Sequence, residues 1–157
     1  MFKRIVVGVD FNEPSLAALE YARRLARRFD GSISVLHVLQ PVANEVYAYS
    51  AEIFDNWERS AHDRLWELFP AAERTEFDGR AEVRVGTPVE AILNFAEEQS
   101  ADLIVLGTHG RGPIKHLFLG SVAERVVRLA PCPVLTVGQP AADALKTLGG
   151  QAAVAVR

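Results

Sequence analysis

Asp102-Leu-Ile-Val-Leu106 runs directly into Gly107-Thr-His-Gly110-Arg-Gly112-Pro-Ile-Lys115-His-Leu-Phe-Leu-Gly120-Ser121, and Val122, Ala123, Val126, Val127 and Ala130 follow at helical spacing. The succession predicts a strand buried on both faces, a glycine-rich loop and a helix. Such a joint brings bare backbone N–H groups and the positive end of a helix to one point, which suits a phosphate.

The same alternation extends in both directions. Upstream, Ile5-Val-Val-Gly-Val9 is a β-branched run closed by Asp10, Phe11-Asn-Glu-Pro14 is a turn, and Leu16, Leu19, Ala22, Leu25, Ala26 and Phe29 mark a helix whose other side carries Arg23, Arg24, Arg27 and Arg28 as a solvated face. Asp30-Gly31 stops that helix, and Ser32 to Val38 is a second strand in which His37 is expected to be satisfied by its neighbours. From about Val42 to Phe69 the residues Val46, Tyr49, Ile53, Trp57, Ala61, Leu65 and Leu68 predict a long amphipathic helix, with Trp57 and Trp66 in core and edge packing. The stretch from Pro70 to Arg80 reads as polar connection with an Asp78-Gly79 turn, and Ala81 to Val85 alternates as an edge strand should. Thr87, Pro88 and Glu90 have the arrangement of N-cap, first helical residue and capping-box partner for a helix on Val89, Ile92, Leu93 and Ala96.

Downstream, Pro131-Cys-Pro133 ends the helix that follows the loop, and Val134 to Val137 is the last strand. Residues 1–138 thus form one α/β domain, and 139–157 a C-terminal tail that is either mobile or an additional element, a helix or a swapped strand at Ala153 to Val156. Strands alternating with helices predict right-handed crossovers and a parallel sheet covered on both faces. Ligands of such sheets bind beyond the carboxyl ends of the strands, where strand order reverses, so Asp10 and Gly107 fall at one place.

A chain of 157 residues, 49% hydrophobic and 24% charged, is sized for one globular domain. Its formal charge of −3 offers no general attraction to nucleic acid. The basic start Met1-Phe-Lys-Arg4 is followed by an apolar run too short for a signal peptide or a membrane span, and Cys132, the single cysteine, cannot form an intrachain disulfide. A cytoplasmic protein without membrane or nucleic-acid partners is expected, and Cys132 is read as a small buried residue.

The loop resembles known phosphate motifs without matching them. Gly107 to Gly112 has P-loop spacing, but Pro113 and Ile114 stand where Lys and Ser or Thr should follow. Gly110-Arg-Gly112 begins like a dinucleotide fingerprint, but Lys115 replaces its third glycine. What remains is a close backbone approach at Gly107 and Gly110, positive charge on Arg111 and Lys115, and the start of a helix at Gly120-Ser121. The plainer alternative is that Ser121 and Glu124 form a capping box and the glycines only shape a surface loop. The two are compatible, because a capped end can still direct its remaining donors at a ligand.

The full spacing, Gly107-x2-Gly110-x9-Gly120-Ser121, is the G-2x-G-9x-G-[S/T] signature of the ATP-binding branch of the universal stress protein family, which the chain resembles over about Phe2 to Gly138. Ile5-Val-Val-Gly-Val-Asp10, Val35-Leu-His-Val38, Val85-Gly-Thr-Pro88 and Ala130-Pro-Cys-Pro-Val-Leu135 extend the resemblance in the same order. It implies a five-stranded parallel sheet in the order 3-2-1-4-5 and binding of ATP, ADP or AMP, with Mg2+ or Mn2+ on the phosphates. By motif position it implies Asp10 beside the ribose or a phosphate-bound metal, the Val38 backbone at adenine, and Gly107, Gly110, Gly120, Ser121 and Val122 at ribose and phosphates. With the neighbours of these positions and the basic loop, the candidate contacts are Val9, Asp10, Val38, Gly107, Thr108, His109, Gly110, Arg111, Gly112, Gly120, Ser121 and Val122. Phe11-Asn-Glu-Pro14 departs from the family's commoner Gly-Ser turn. The resemblance also implies a homodimer through Val134 to Val137.

The expected function is that of an ATP-binding stress-response protein, a nucleotide-dependent regulatory or interaction module acting on a protein partner the sequence does not name. A slow ATP hydrolase and a nucleotide-free interaction module are the alternatives. His109 and His116 are the loop's nominal general bases, but nothing in the sequence aims either at a substrate, so no catalytic residue is assigned. No metal-ligand spacing stands apart from the nucleotide.

Overall fold

Ile5, Val6 and Val7 are each almost fully buried, as a strand covered on both faces requires, and they belong to β1, Arg4–Val9. The computed structural model describes residues 2–40, 51–108 and 119–154. In order after β1 come α1 (Glu13–Phe29), β2 (Ser32–Leu39), α2 (Ala51–Leu68), α3 (Ala71–Glu76), β3 (Arg80–Val85), α4 (Pro88–Glu98), β4 (Leu103–Gly107), α5 (Ser121–Leu129), β5 (Val134–Val137) and α6 (Gln139–Val154).

The strands make one five-stranded sheet in the order β3-β2-β1-β4-β5, with every adjacent pair parallel. Period-two alternation divides their side chains between two cores. Ile5, Val7, Ile33, Val35 and Val105 pack under α1, α2 and the start of α6 with Leu19, Ala22, Leu65 and Phe69. On the other side Val6, Leu36, Ile104 and Leu106 meet α4 and α5 through Ile92, Phe95 and Val126. The fold and strand order are those the sequence predicts.

Several local expectations are corrected. The connection from Pro70 to Arg80 contains α3, a helix too short for periodicity to reveal and tied down by distant charge: Arg23 donates to Glu73 at 2.8 Å and to the Leu68 carbonyl at 2.7 Å, and Arg27 pairs with Glu76 at 2.9 Å. Part of the arginine face of α1 is therefore an anchoring surface, with the Arg23 side chain only 13% exposed. Trp57 and Trp66 are 45% and 50% exposed and do not enter the core, whose α2 contribution is Ala61 and Leu65. Trp66 lies edge-on to His62 and under the Arg74 guanidinium. The part of the long predicted helix holding Val46 and Tyr49 lies outside the described residues. Neither expected capping box forms: Thr87 sits at the N-cap of α4 without a side-chain bond, and the N-cap of α5 is Gly120, so Ser121 is already helical. After β5 the chain turns at once into α6, which packs on α1 with Ala142 buried. No helix among the described residues is long and apolar enough to cross a membrane.

Candidate functional site

Strand order reverses between β1 and β4, where Gly8 pairs with Leu106. The chain leaves β1 towards β2 on one side and reaches β4 on the other, so the carboxyl ends of these strands diverge around a crevice. A cavity of about 460 Å³ lies there, within the range of small-molecule sites. Its floor and sides are mostly apolar, from Leu36, Val38, Leu39, Ile92 and Leu106, with Pro88 at one margin. The polar groups converge from Asp10 and Ser15 after β1, Thr108 after β4, and Gly120 to Ala123 at the start of α5.

The turn after β1 is built by its own side chains. Asn12 caps α1 by accepting from the Ser15 N–H at 2.9 Å, and Ser15 Oγ donates to the Asn12 carbonyl and accepts from the Asp10 N–H. Both oxygens of Asp10 accept from Asn12, Oδ1 from the backbone N–H at 3.1 Å and Oδ2 from Nδ2 at 2.9 Å. The carboxylate is thereby oriented while each oxygen keeps further acceptor capacity. Phe11, at φ 64°, takes the left-handed conformation that allows this reversal, and its ring packs between His37 and the Arg64 guanidinium.

Gly107 and Thr108 hold the other wall. A Cβ on Gly107 would stand 2.6 Å from Ser15 N and 2.8 Å from Pro14 C, so β4 and the first turn of α1 touch backbone to backbone. The Thr108 N–H donates to Val137 O at 2.9 Å, and its carbonyl accepts from the Gly120 N–H, closing the base of the loop. Helix α5 then begins with no side-chain cap, and Ser121, Val122 and Ala123 of its first turn border the cavity. First-turn N–H groups lack intrahelical acceptors, so this end presents donors and the positive pole of the helix dipole. The N-terminus of α1, by contrast, is already capped by Asn12.

Of the residues singled out in the sequence, Val9, Asp10, Val38, Gly107, Thr108, Gly120, Ser121 and Val122 meet at this one cavity. His109, Gly110, Arg111, Gly112, Lys115 and His116 lie outside the described residues. His37 borders the cavity but is structural: buried, it donates from Nδ1 to the Val9 carbonyl at 2.8 Å, which fixes the proton on Nδ1. Asp10 is the one carboxylate among the described lining residues, and no described lysine or arginine joins it. Ser15, Leu39, Gln40, Pro88 and Ile92 also line the site and were not among the expected contacts. Leu39 and Gln40 directly follow Val38 at the end of β2, one and two residues past the expected end of that strand, whereas Pro88 and Ile92 arrive only through the packing of α4 on the sheet.

The sequence profile described as the universal stress protein family matches residues 1–138. The chain belongs to the universal stress protein family. A universal stress protein of Methanocaldococcus jannaschii is 33% identical over 147 residues, covering 89% of this chain and 84% of its own length. Among solved universal stress protein folds, that of the M. jannaschii protein MJ0577 superposes with a TM-score of 0.79 at 28% identity, covering 88% of this chain and 97% of that one. The universal stress protein of Archaeoglobus fulgidus, solved in complex with dAMP, gives 0.61 at 27% identity and covers 87% and 99% of the two chains.

Proposed function

We propose that the cavity binds an adenine nucleotide, ATP in the first place, and that the protein acts as a nucleotide-dependent regulatory or interaction module. The observation that carries this is the uncapped start of α5 opening onto the same cavity as the apolar strand end at Val38. One end suits phosphate and the other a flat apolar base. The complex of the A. fulgidus relative with dAMP supports the ligand class.

In this reading the Val38 backbone and the apolar floor hold adenine. Asp10, oriented by Asn12, faces the ribose or water on a phosphate-bound Mg2+ or Mn2+. Gly120, Ser121 and Val122 hold phosphate through their N–H groups, with His109 to Gly112 completing the loop. The residues fit a metal carried in by the phosphates, since Asp10 retains lone pairs and stands alone as a carboxylate. That metal would neutralise phosphate charge. Binding does not require catalysis, and His37, the other titratable group at the described wall, is held by the Val9 carbonyl.

Calorimetric titration with ATP, ADP and AMP tests the reading, alongside turnover of ATP. We expect micromolar binding, on the order of −8 kcal/mol, and its loss in the double variant Gly110→Val, Gly120→Val. A wild-type protein that binds none of the three leaves only the nucleotide-free module. Unchanged affinity in the variant removes this cavity as the site, and turnover above background makes the protein an ATPase.

A further inference from the structure

Helix α6 lies beyond the 1–138 family match, bonds to the first turn of α1 on one side of the cavity, and follows directly on β5, which holds the other side. On one wall it reaches Glu13, in the first turn of α1: Lys146 Nζ donates to Oε1 at 2.8 Å and Gln139 Nε2 to Oε2 at 2.7 Å. These bonds, led by that from Lys146, hold the Glu13 carboxyl below its ordinary pKa. The same first turn contains Ser15, whose N is the atom a Cβ on Gly107 would strike. On the other wall α6 springs from Val137 and Gly138, and Val137 O accepts from the Thr108 N–H at the base of the glycine loop. Burial of Ala142, with Ala141 and Leu145 packed beside it, seats the helix against the core.

We infer that α6 is a clasp that sets the affinity of the nucleotide site, with Lys146 and Gln139 as positioning residues acting through Glu13. The inference rests on the nucleotide reading above and adds to it a tuning element outside the family domain. Clasping Glu13 fixes α1's first turn, hence the Asp10-Asn12-Ser15 turn and the packing of Gly107. Because the ion pair is exposed, its influence is modest and screened by salt.

The test compares wild type, Lys146→Ala and Lys146→Arg by ATP titration and by amide exchange at Ser15, Leu16 and Thr108. Lys146→Ala should bind ATP about two- to fivefold more weakly at low salt, the difference should shrink near about 1 M salt, and Lys146→Arg should restore it. Exchange at the three amides should quicken in Lys146→Ala alone. Wild-type affinity with unchanged exchange in Lys146→Ala overturns the clasp, as does a loss that Arg does not repair. If the wild type binds no nucleotide, the nucleotide reading falls separately. Faster exchange at Ser15 and Thr108 then still supports mechanical coupling from α6 to both walls, and unchanged exchange removes it.

Discussion

Gly107 has two reasons to be glycine, and only one concerns a ligand. Its place in the motif suggests close approach to a phosphate or ribose, yet the immediate constraint is the backbone of Pro14 and Ser15, 2.8 and 2.6 Å from where a Cβ would sit. Backbone at the head of a helix cannot rotate away. Gly8 is similarly tight, at 2.7 Å, but there the obstacle is Leu106 Cδ2, the tip of a flexible side chain. Gly107→Ala should therefore lower stability by about 1–3 kcal/mol through overpacking, and Gly8→Ala by less. Urea unfolding of the two variants checks the ranking, and equal or reversed losses would show that the contact between β4 and α1 is softer than its geometry implies.

At the scale of elements, periodicity recovered those that carry a strong apolar stripe of their own, missed α3, which has none, and left α6 undecided between a mobile tail and an added element. Strands β1 and β4 were legible because short β-branched and leucine runs such as Ile5 to Val7 and Leu103 to Leu106 suit a strand covered on both faces. Helix α3 was illegible because Arg23 and Arg27, about fifty positions earlier, supply its partners. Arg23→Ala should cost about 1–3 kcal/mol, since it strips Glu73 and the Leu68 carbonyl of a partly buried donor, and should speed amide exchange in α3 before the sheet responds. Uniform exchange throughout would mean that α3 is held by something else. A second tie is acid-sensitive. Arg84 of β3 lies over the Phe95 ring and bonds Glu98 of α4 and Glu82, which raises its own pKa and holds the Glu98 carboxyl below the ordinary 4.5. A carboxyl whose folded pKa is depressed stabilises the fold above its unfolded value and loses that contribution as pH falls through the folded one. The difference in urea midpoint between wild type and Arg84→Met should thus be larger at pH 6 than below the depressed value, and a difference independent of pH would assign Arg84 to packing on Phe95 alone.

For the whole molecule, the cavity was legible in outline because topology places it: the strand order that the family resemblance implies sets β1 beside β4, and their carboxyl ends then diverge around one crevice. The walls given by Pro88 and Ile92 were not, since they depend on how α4 lies across the sheet. Topology also leaves two open edges, and they differ in chemistry. Edge strand β3 carries Arg80, Glu82 and Arg84, charges that discourage pairing with another sheet. Edge strand β5 is Val-Leu-Thr-Val, with Leu135 37% exposed, and the neighbouring α5 adds Val127 and Leu129 at 46% and 59%. An uncharged, apolar edge of this kind is a liability in a monomer and a natural two-fold contact in a dimer, because the same strand can pair with its own copy. We therefore expect the protein to sediment at twice the 17.2 kDa chain mass. Leu135→Lys should return it to the monomer, and ATP affinity should hold, since Leu135 does not line the cavity. Monomeric wild type in sedimentation, or a dimer undisturbed by Leu135→Lys, would remove β5 as the contact; a monomeric variant that also lost ATP would show that the partner subunit helps to form the site.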